Sequence, residues 1–302
     1  MDSAKLSLTL ISITDFNVDL LTKISKSTST RSSRHSSSSD IYGSIHEMSL
    51  LTTNPASLHA LLLLSDSALP LGSFAFSSGL ESFLAHRKQP NTQQRTKAFN
   101  LFLDHSLSNL AGTALPYVLS AYHDHTILED LDNDVDASTP CTVARRASIA
   151  QGKALLTIWE RALALAVPSD GPADQAAAGD AISGFAKAAK ISKPDAYGLQ
   201  INGHFPPLFG AVAFALGLSE QETCYLFLLN HSKAMLSAAV RASVMGPYQS
   251  QATLASAALQ KHINELIVKH QHCRAVDAAV CVPAMDLWMG RHELLYSRIF
   301  NS

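Results

Sequence analysis

Disulfide-forming cysteine is scarce in this 302-residue chain. Four cysteines, Cys141, Cys224, Cys273 and Cys281, stand far apart with no C-x-x-C pair. That spacing argues against a disulfide framework and against a zinc knuckle, and leaves them as reduced, buried thiols. An excess of charge of one sign is also lacking. The 23 Lys and Arg oppose 25 Asp and Glu, for a formal net charge of -2, so there is no electrostatic footprint for nucleic acid or an anionic membrane surface. Long apolar runs are missing too. The longest, Leu208 to Leu218, falls well short of the roughly 18 residues a membrane span needs. The N-terminus carries Asp2 and no compact basic-then-apolar signal. These absences together describe a soluble, cytoplasmic protein with neither nucleic acid nor membrane as partner.

Strand-like alternation is nearly absent, and what is present has helical period. The expectation is an all-α fold, a single compact multi-helix bundle-like domain over 49–302. A Ser-rich leader over 1–48 precedes it, containing SKSTSTRSSRHSSSSD, which has almost no apolar surface to offset the entropy of ordering. Met48 is an alternative start. Ser57 is expected to N-cap a helix through Leu64 whose LLLL run is buried on several sides. Asn91 and Gln94 resemble a capping box ahead of Phe99, Phe102, Leu103, Leu107 and Leu110. Arg145 to Val167 forms another periodic segment. Ser219 and Glu222 form the cleanest capping box, opening a helix that Gly246 and Pro247 should stop. Gln251 to His272 and Met285 to Phe300 complete the helices. The acidic stretch between Tyr122 and Cys141, and Pro168 to Asp180, read as mobile surface loops.

A search for chemistry returns little. The nearest approach to a phosphate cradle, ASIAQGKA, has Ala147 in place of the first glycine and Ala154 in place of the metal-binding hydroxyl, and it lies within a helix. Thirteen histidines prompt a search for a metal site. Only His262 and Glu265 stand three apart, and they read as a solvated face with Glu265 and Lys269 paired. Ser77 and Ser78 lack the G-x-S-x-G order and the preceding strand of a nucleophile elbow. No catalytic, cofactor or metal residue is assigned. A helical, histidine-containing, metal-dependent enzyme is the alternative class.

Four motifs carry a resemblance. LLLLSDSALPLGSFAFSSGLE ends at Glu81, NGHFPPLFGAVAFALGL runs from Asn202 to Leu218, AAVRASVMGPYQSQ from Ala238 to Gln251, and PAMDLWMGRHELLYSRIFNS ends the sequence. In this order they resemble the urease accessory protein UreF family, with ARRASIAQGKALL from Ala144 a looser fifth match. The resemblance implies an all-helical, non-catalytic scaffold for inserting nickel into apo-urease. It would bind a UreD/UreH-type protein, recruit and regulate a UreG-type GTPase, and form a homodimer. Nickel and GTP would be handled by the complex, with no cofactor bound stably by this chain.

Carried onto these residues, the expected partner contacts are Ser73, Ser77, Glu81, His204, Arg241, Gln251, His292, Glu293, Arg298, Ile299, Phe300 and Ser302. Arg298 and Phe300 are proposed to dock on the UreD-type partner, the ring filling a pocket and the guanidinium meeting a carboxylate. The competing reading buries Phe300 in this chain's own core. His292 and Glu293 read as a hydrogen-bonding pair, and Arg241 as paired with a carboxylate in this fold or across a dimer. Of the two rings in the opening loop, Phe74 and Phe76, at least one should enter the core. His204 is the histidine to examine first for transient nickel contact, against an ordinary turn hydrogen bond.

Overall fold

The computed structural model describes residues 55–87, 91–167, 171–196 and 198–301. The Ser-rich leader and the Met48 alternative lie outside the described residues, as does Ser302. Among the described residues every regular element is helical, so the all-α expectation holds.

The centre is α8 (Phe205–Ala215), apolar on every side, with Leu208, Phe209, Ala211, Val212 and Ala213 all buried. A helix without a polar face must be enclosed by other helices. Here α4 (Leu115–His123), α6 (Thr142–Arg161) and α7 (Ala173–Ile191) surround it. Pro206 and Pro207 stand in its first turn, where a backbone N–H has no helical partner to lose. Beside this core run two long helices, α3 (Thr92–Thr113) and α9 (Glu220–Arg241). Asn91 caps α3 by accepting the Gln94 N–H at 2.9 Å. Phe99, Phe102, Leu103 and Leu107 face inward, with Leu110 partly buried beside them.

The Ser219–Glu222 capping box of α9 forms in both directions, and Ser57 joins it. Ser57 lies inside α1 (Pro55–Ser65) rather than at its cap, and donates its Oγ hydrogen to Glu222 Oε2 at 3.1 Å. Partial burial opposes ionisation of Glu222, but the bonds from Ser219 and Ser57 outweigh it and hold the carboxyl below the usual carboxylate range. The LLLL run is not enclosed as expected: Leu64 is buried, while Leu62 and Leu63 face solvent.

The acidic stretch is not a mobile loop. It folds as α5 (Leu128–Ser138), and Leu128, Leu131 and Val135 turn one face inward. Their helical spacing was masked by the carboxylates between them. The second supposed loop is largely the start of α7, which begins at Ala173. α6 ends at Arg161, followed by a 3-10 turn, Leu163–Ala166. α9 stops at Arg241, before Gly246, and Pro247 opens α10 (Pro247–Leu254) instead of closing α9. Ser256 caps a separate α11 (Ala257–His270), on which Glu265 pairs with Lys261 at 3.7 Å rather than with Lys269. The last expected helix is shorter than predicted. α12 (Ala284–Arg291) passes into one 3-10 turn, His292–Leu294, and an irregular, bent segment follows.

Candidate partner interface

The opening motif and the closing motif meet. The turn after α1 leads through a 3-10 turn, Ser73–Ala75, to a corner at Gly79, where φ is +85°. A Cβ at Gly79 would stand 2.8 Å from the Met289 nitrogen of α12, so a side chain here would force the two backbones apart. The corner starts α2 (Leu80–His86), whose Phe83 ring packs edge-on against Trp288 with centroids 5.4 Å apart. Glu81, in the first turn of α2, thereby faces the segment that follows α12.

Glu81 holds that segment by its backbone. Its Oε1 accepts the Ile299 N–H at 2.8 Å and its Oε2 the Phe300 N–H at 3.2 Å. The Asn301 N–H donates to the Ala75 carbonyl at 2.8 Å. Buried His292 contacts the Phe300 carbonyl through Nε2 at 3.0 Å. The carbonyl can only accept, so the ring carries its proton on Nε2. That leaves Nδ1 without a hydrogen bond, 3.9 Å from Glu81 Oε2. On the outer side Arg146 donates to the Asn301 carbonyl at 3.0 Å and pairs with Glu293 at 2.6 Å, while Arg298 takes the other Glu293 oxygen at 2.8 Å. These two guanidinium groups hold the Glu293 carboxyl below the usual carboxylate range.

This clamp revises several expectations. Phe300 is 3% exposed and lies under the Arg241 guanidinium, 4.4 Å from the ring centroid, so its ring already fills a site in this chain. Arg241 stacks on that ring, and among the described residues of this chain it has no carboxylate partner; its Nε donates to the Ser237 carbonyl at 3.4 Å. Ser77 and His292 are fully buried and unavailable to a partner. Ser73 donates to Gln151 at 3.0 Å, and Glu81 is committed to the segment. Of the two phenylalanines, Phe74 points to solvent and Phe76 is only half-buried. Gln251 is exposed on α10, apart from the clamp's bonds. Ile299, at 63% exposure, is the predicted apolar contact left open, and Leu287, Leu294 and Tyr296 are exposed as well. The sequence alone marks none of these three as exposed.

His204 belongs to a second, enclosed assembly. Buried Asp132 on α5 accepts the backbone N–H groups of Asn202, Gly203 and His204 at 2.6, 3.2 and 2.6 Å. His204 is 0% exposed, with Nδ1 3.1 Å from Ser148 Oγ and Nε2 3.1 Å from Asp136 Oδ1. The Phe205 N–H donates to the same Ser148 oxygen at 3.2 Å. Every polar atom is satisfied if Nε2–H donates to Asp136 and Ser148 O–H donates to Nδ1. His204 is thus held by hydrogen bonds at both ring nitrogens, as the turn reading expected. A Cβ on Gly152 of α6 would fall 2.0 Å from the Gly203 carbonyl oxygen, so this helix and the 202–204 turn touch backbone to backbone. Among the described residues, no three His, Cys, Asp or Glu side chains gather as a metal site would require, and no helix is long and apolar enough to cross a membrane.

The chain is an all-helical protein whose opening and closing motifs grip one another and whose Leu287, Leu294, Tyr296 and Ile299 stay exposed. Comparison with known proteins gives its family. The UreF family model matches residues 94–258. An "uncharacterized urease accessory protein UreF-like" of Schizosaccharomyces pombe is 37% identical over 252 residues, covering 83% of this chain and 100% of that protein. "Urease accessory protein 6" of Cryptococcus neoformans is 29% identical over 325 residues, covering 84% and 100%. "Urease accessory protein F" of Arabidopsis thaliana is 28% identical, covering 79% and 90%. This chain belongs to the UreF family of urease accessory proteins, which gives it a role in urease maturation.

Proposed function

We propose that this protein acts in the cytoplasm as a non-catalytic scaffold for inserting nickel into apo-urease. In this reading it binds a UreD/UreH-type accessory protein, recruits and regulates a UreG-type GTPase, and works as a homodimer. Nickel and GTP are cargo and fuel of the assembly, not ligands of this chain.

The observation that supports this most directly is the clamp. Backbone bonds to Glu81 and Ala75 fix the path of residues 299–301, and Ile299 is exposed there, as are Leu294 and Tyr296 earlier in the closing motif. An apolar side chain carried on a fixed backbone, as Ile299 is, has part of its ordering entropy already spent, which favours tight docking. Arg298 and Glu293 border it as a charged rim.

The test is a pull-down of the UreD-type protein by this chain carrying Tyr296→Ser and Ile299→Asp together. Both side chains are exposed, so the variant should fold and melt like the parent. Capture should fall by about tenfold or more. A folded variant that captures the partner as well as the parent does would overturn the assignment of this face. Deleting 298–302 is a poorer experiment, because it also removes the buried Phe300.

A further inference from the structure

A cavity of about 330 Å³ opens beneath the loop between α1 and α2, bounded by α3, α6, α9 and α12. Its size is that of a small-ligand pocket, and its walls are mostly apolar, with Leu110, Phe209, Met235 and Met289 among them.

Most polar groups that reach it are already engaged. Ser106 Oγ lies 2.7 Å from His231 Nε2, and burial lowers the His231 pKa to about 4, which keeps the ring neutral. Asn109 accepts the Val282 N–H at 3.0 Å. The Lys233 ammonium is bound to the Ser65 carbonyl and hydroxyl, both at 2.7 Å. Asp66 accepts the Ala68 N–H at 2.9 Å, and the Tyr117 hydroxyl meets Ser138 at 3.1 Å.

Asp286, in the first turn of α12, is different. It lines the cavity, is half-buried, and has no hydrogen-bond or ion-pair partner among the described residues. Burial raises its pKa. A carboxylate drawn partly out of water without a donor costs free energy that a cation can offset. The surroundings narrow the choice of cation. Asp66, the other carboxylate at the cavity, already accepts the Ala68 N–H and lies near the Lys233 ammonium, so among the described residues Asp286 is the one unengaged carboxylate there, too few ligands for a divalent metal. A compact ammonium needs one acceptor, and its stem can lie along Leu110 and the adaptable Met289 side chain.

The geometry points to this cavity as a binding site for a primary ammonium carried on an unbranched apolar stem, with the ammonium on Asp286. The stem belongs either to a free aliphatic amine or to a lysine side chain of another protein. The site is independent of the partner face proposed above, since Asp286 takes no part in the clamp.

The full chain, labelled with 13C at its methionine methyls, would be titrated with n-hexylamine, n-hexanol and N-acetyl-lysine N-methylamide. Met235, Met285 and Met289 line the cavity and report directly. Hexylamine should give saturable shifts at these methyls and bind at least about tenfold more tightly than hexanol. Asp286→Asn should remove that advantage and leave hexanol binding unchanged. Comparable binding of the blocked lysine assigns the site to a lysine side chain, and binding of hexylamine alone assigns it to a free amine. Equal binding of hexylamine and hexanol by the parent chain, or no saturable shift with hexylamine, overturns the proposal without recourse to the variant. Hexylamine affinity unchanged in a folded Asp286→Asn chain does so as well.

Discussion

Two histidine-centred assemblies hold distant parts of this chain together, and they are built to different standards. Around Asp132 and His204 both carboxylate oxygens of Asp132 and both imidazole nitrogens have partners, and these two side chains are buried, while the Asp136 carboxylate beside them reaches the surface and Arg145. Around Glu81 and His292 one imidazole nitrogen lacks a partner, and the outer bonds are ion pairs at the surface. In the first, neither central side chain has a polar atom left over. The second holds a segment in place while leaving the segment's side chains available.

The sharpest way to break this contrast is Asp132→Ala. It strands two buried backbone donors and one part-buried donor at once, so the loss should be roughly 3 kcal/mol or more, read as a lowered midpoint in urea unfolding. A loss below about 1 kcal/mol would mean that water replaces the carboxylate and that the hub is less closed than described. Phe300→Ala should come next, at about 3 kcal/mol for a buried ring. Its signature should be faster hydrogen exchange at Ile299 and Asn301, with the amides of 202–204 unaffected. Spread of the change to the hub would show that the two assemblies are coupled.

The smallest effect concerns acid. The Glu293 carboxyl is held below its ordinary range in the folded protein. Its contribution is therefore present above the unfolded-state pKa and is lost as pH falls through the lower folded value. Titrating below the usual carboxylate range should loosen Arg146 and Arg298 before the chain unfolds. NMR of the two guanidinium groups would follow this, and salt should weaken the same bonds. Arg146 and Arg298 resonances that stay fixed throughout the acid titration would remove the ion pairs from the clamp.

Where a signal is local, the sequence was readable. Asn91 with Gln94, and Ser219 with Glu222, marked true helix starts because a cap involves residues three apart. The C-terminal and opening motifs were both recognisable, but their meeting was not, since a contact between Glu81 and Ile299 leaves no local pattern. Asp132 was hidden for another reason. It sits among Glu129, Asp130 and Asp134, and a buried carboxylate looks the same in sequence as its solvated neighbours. Phe300 beside Arg298 was ambiguous in principle, because a ring destined for a partner's pocket and a ring destined for its own core have the same composition. Arg241 looked as though it needed a carboxylate, and an aromatic face met that need instead.

The grip of Glu81 on residues 299 and 300 also bears on how the protein is made. The acceptor site at Ala75 and Glu81 leaves the ribosome early, and the segment that fills it leaves more than two hundred residues later. Throughout that interval Glu81 can be filled only by something else, so nascent or prematurely truncated chains carry an open slot for polypeptide. Closing the slot distinguishes a finished molecule from a fragment, and quality-control factors that bind extended segments would meet the unfinished form first.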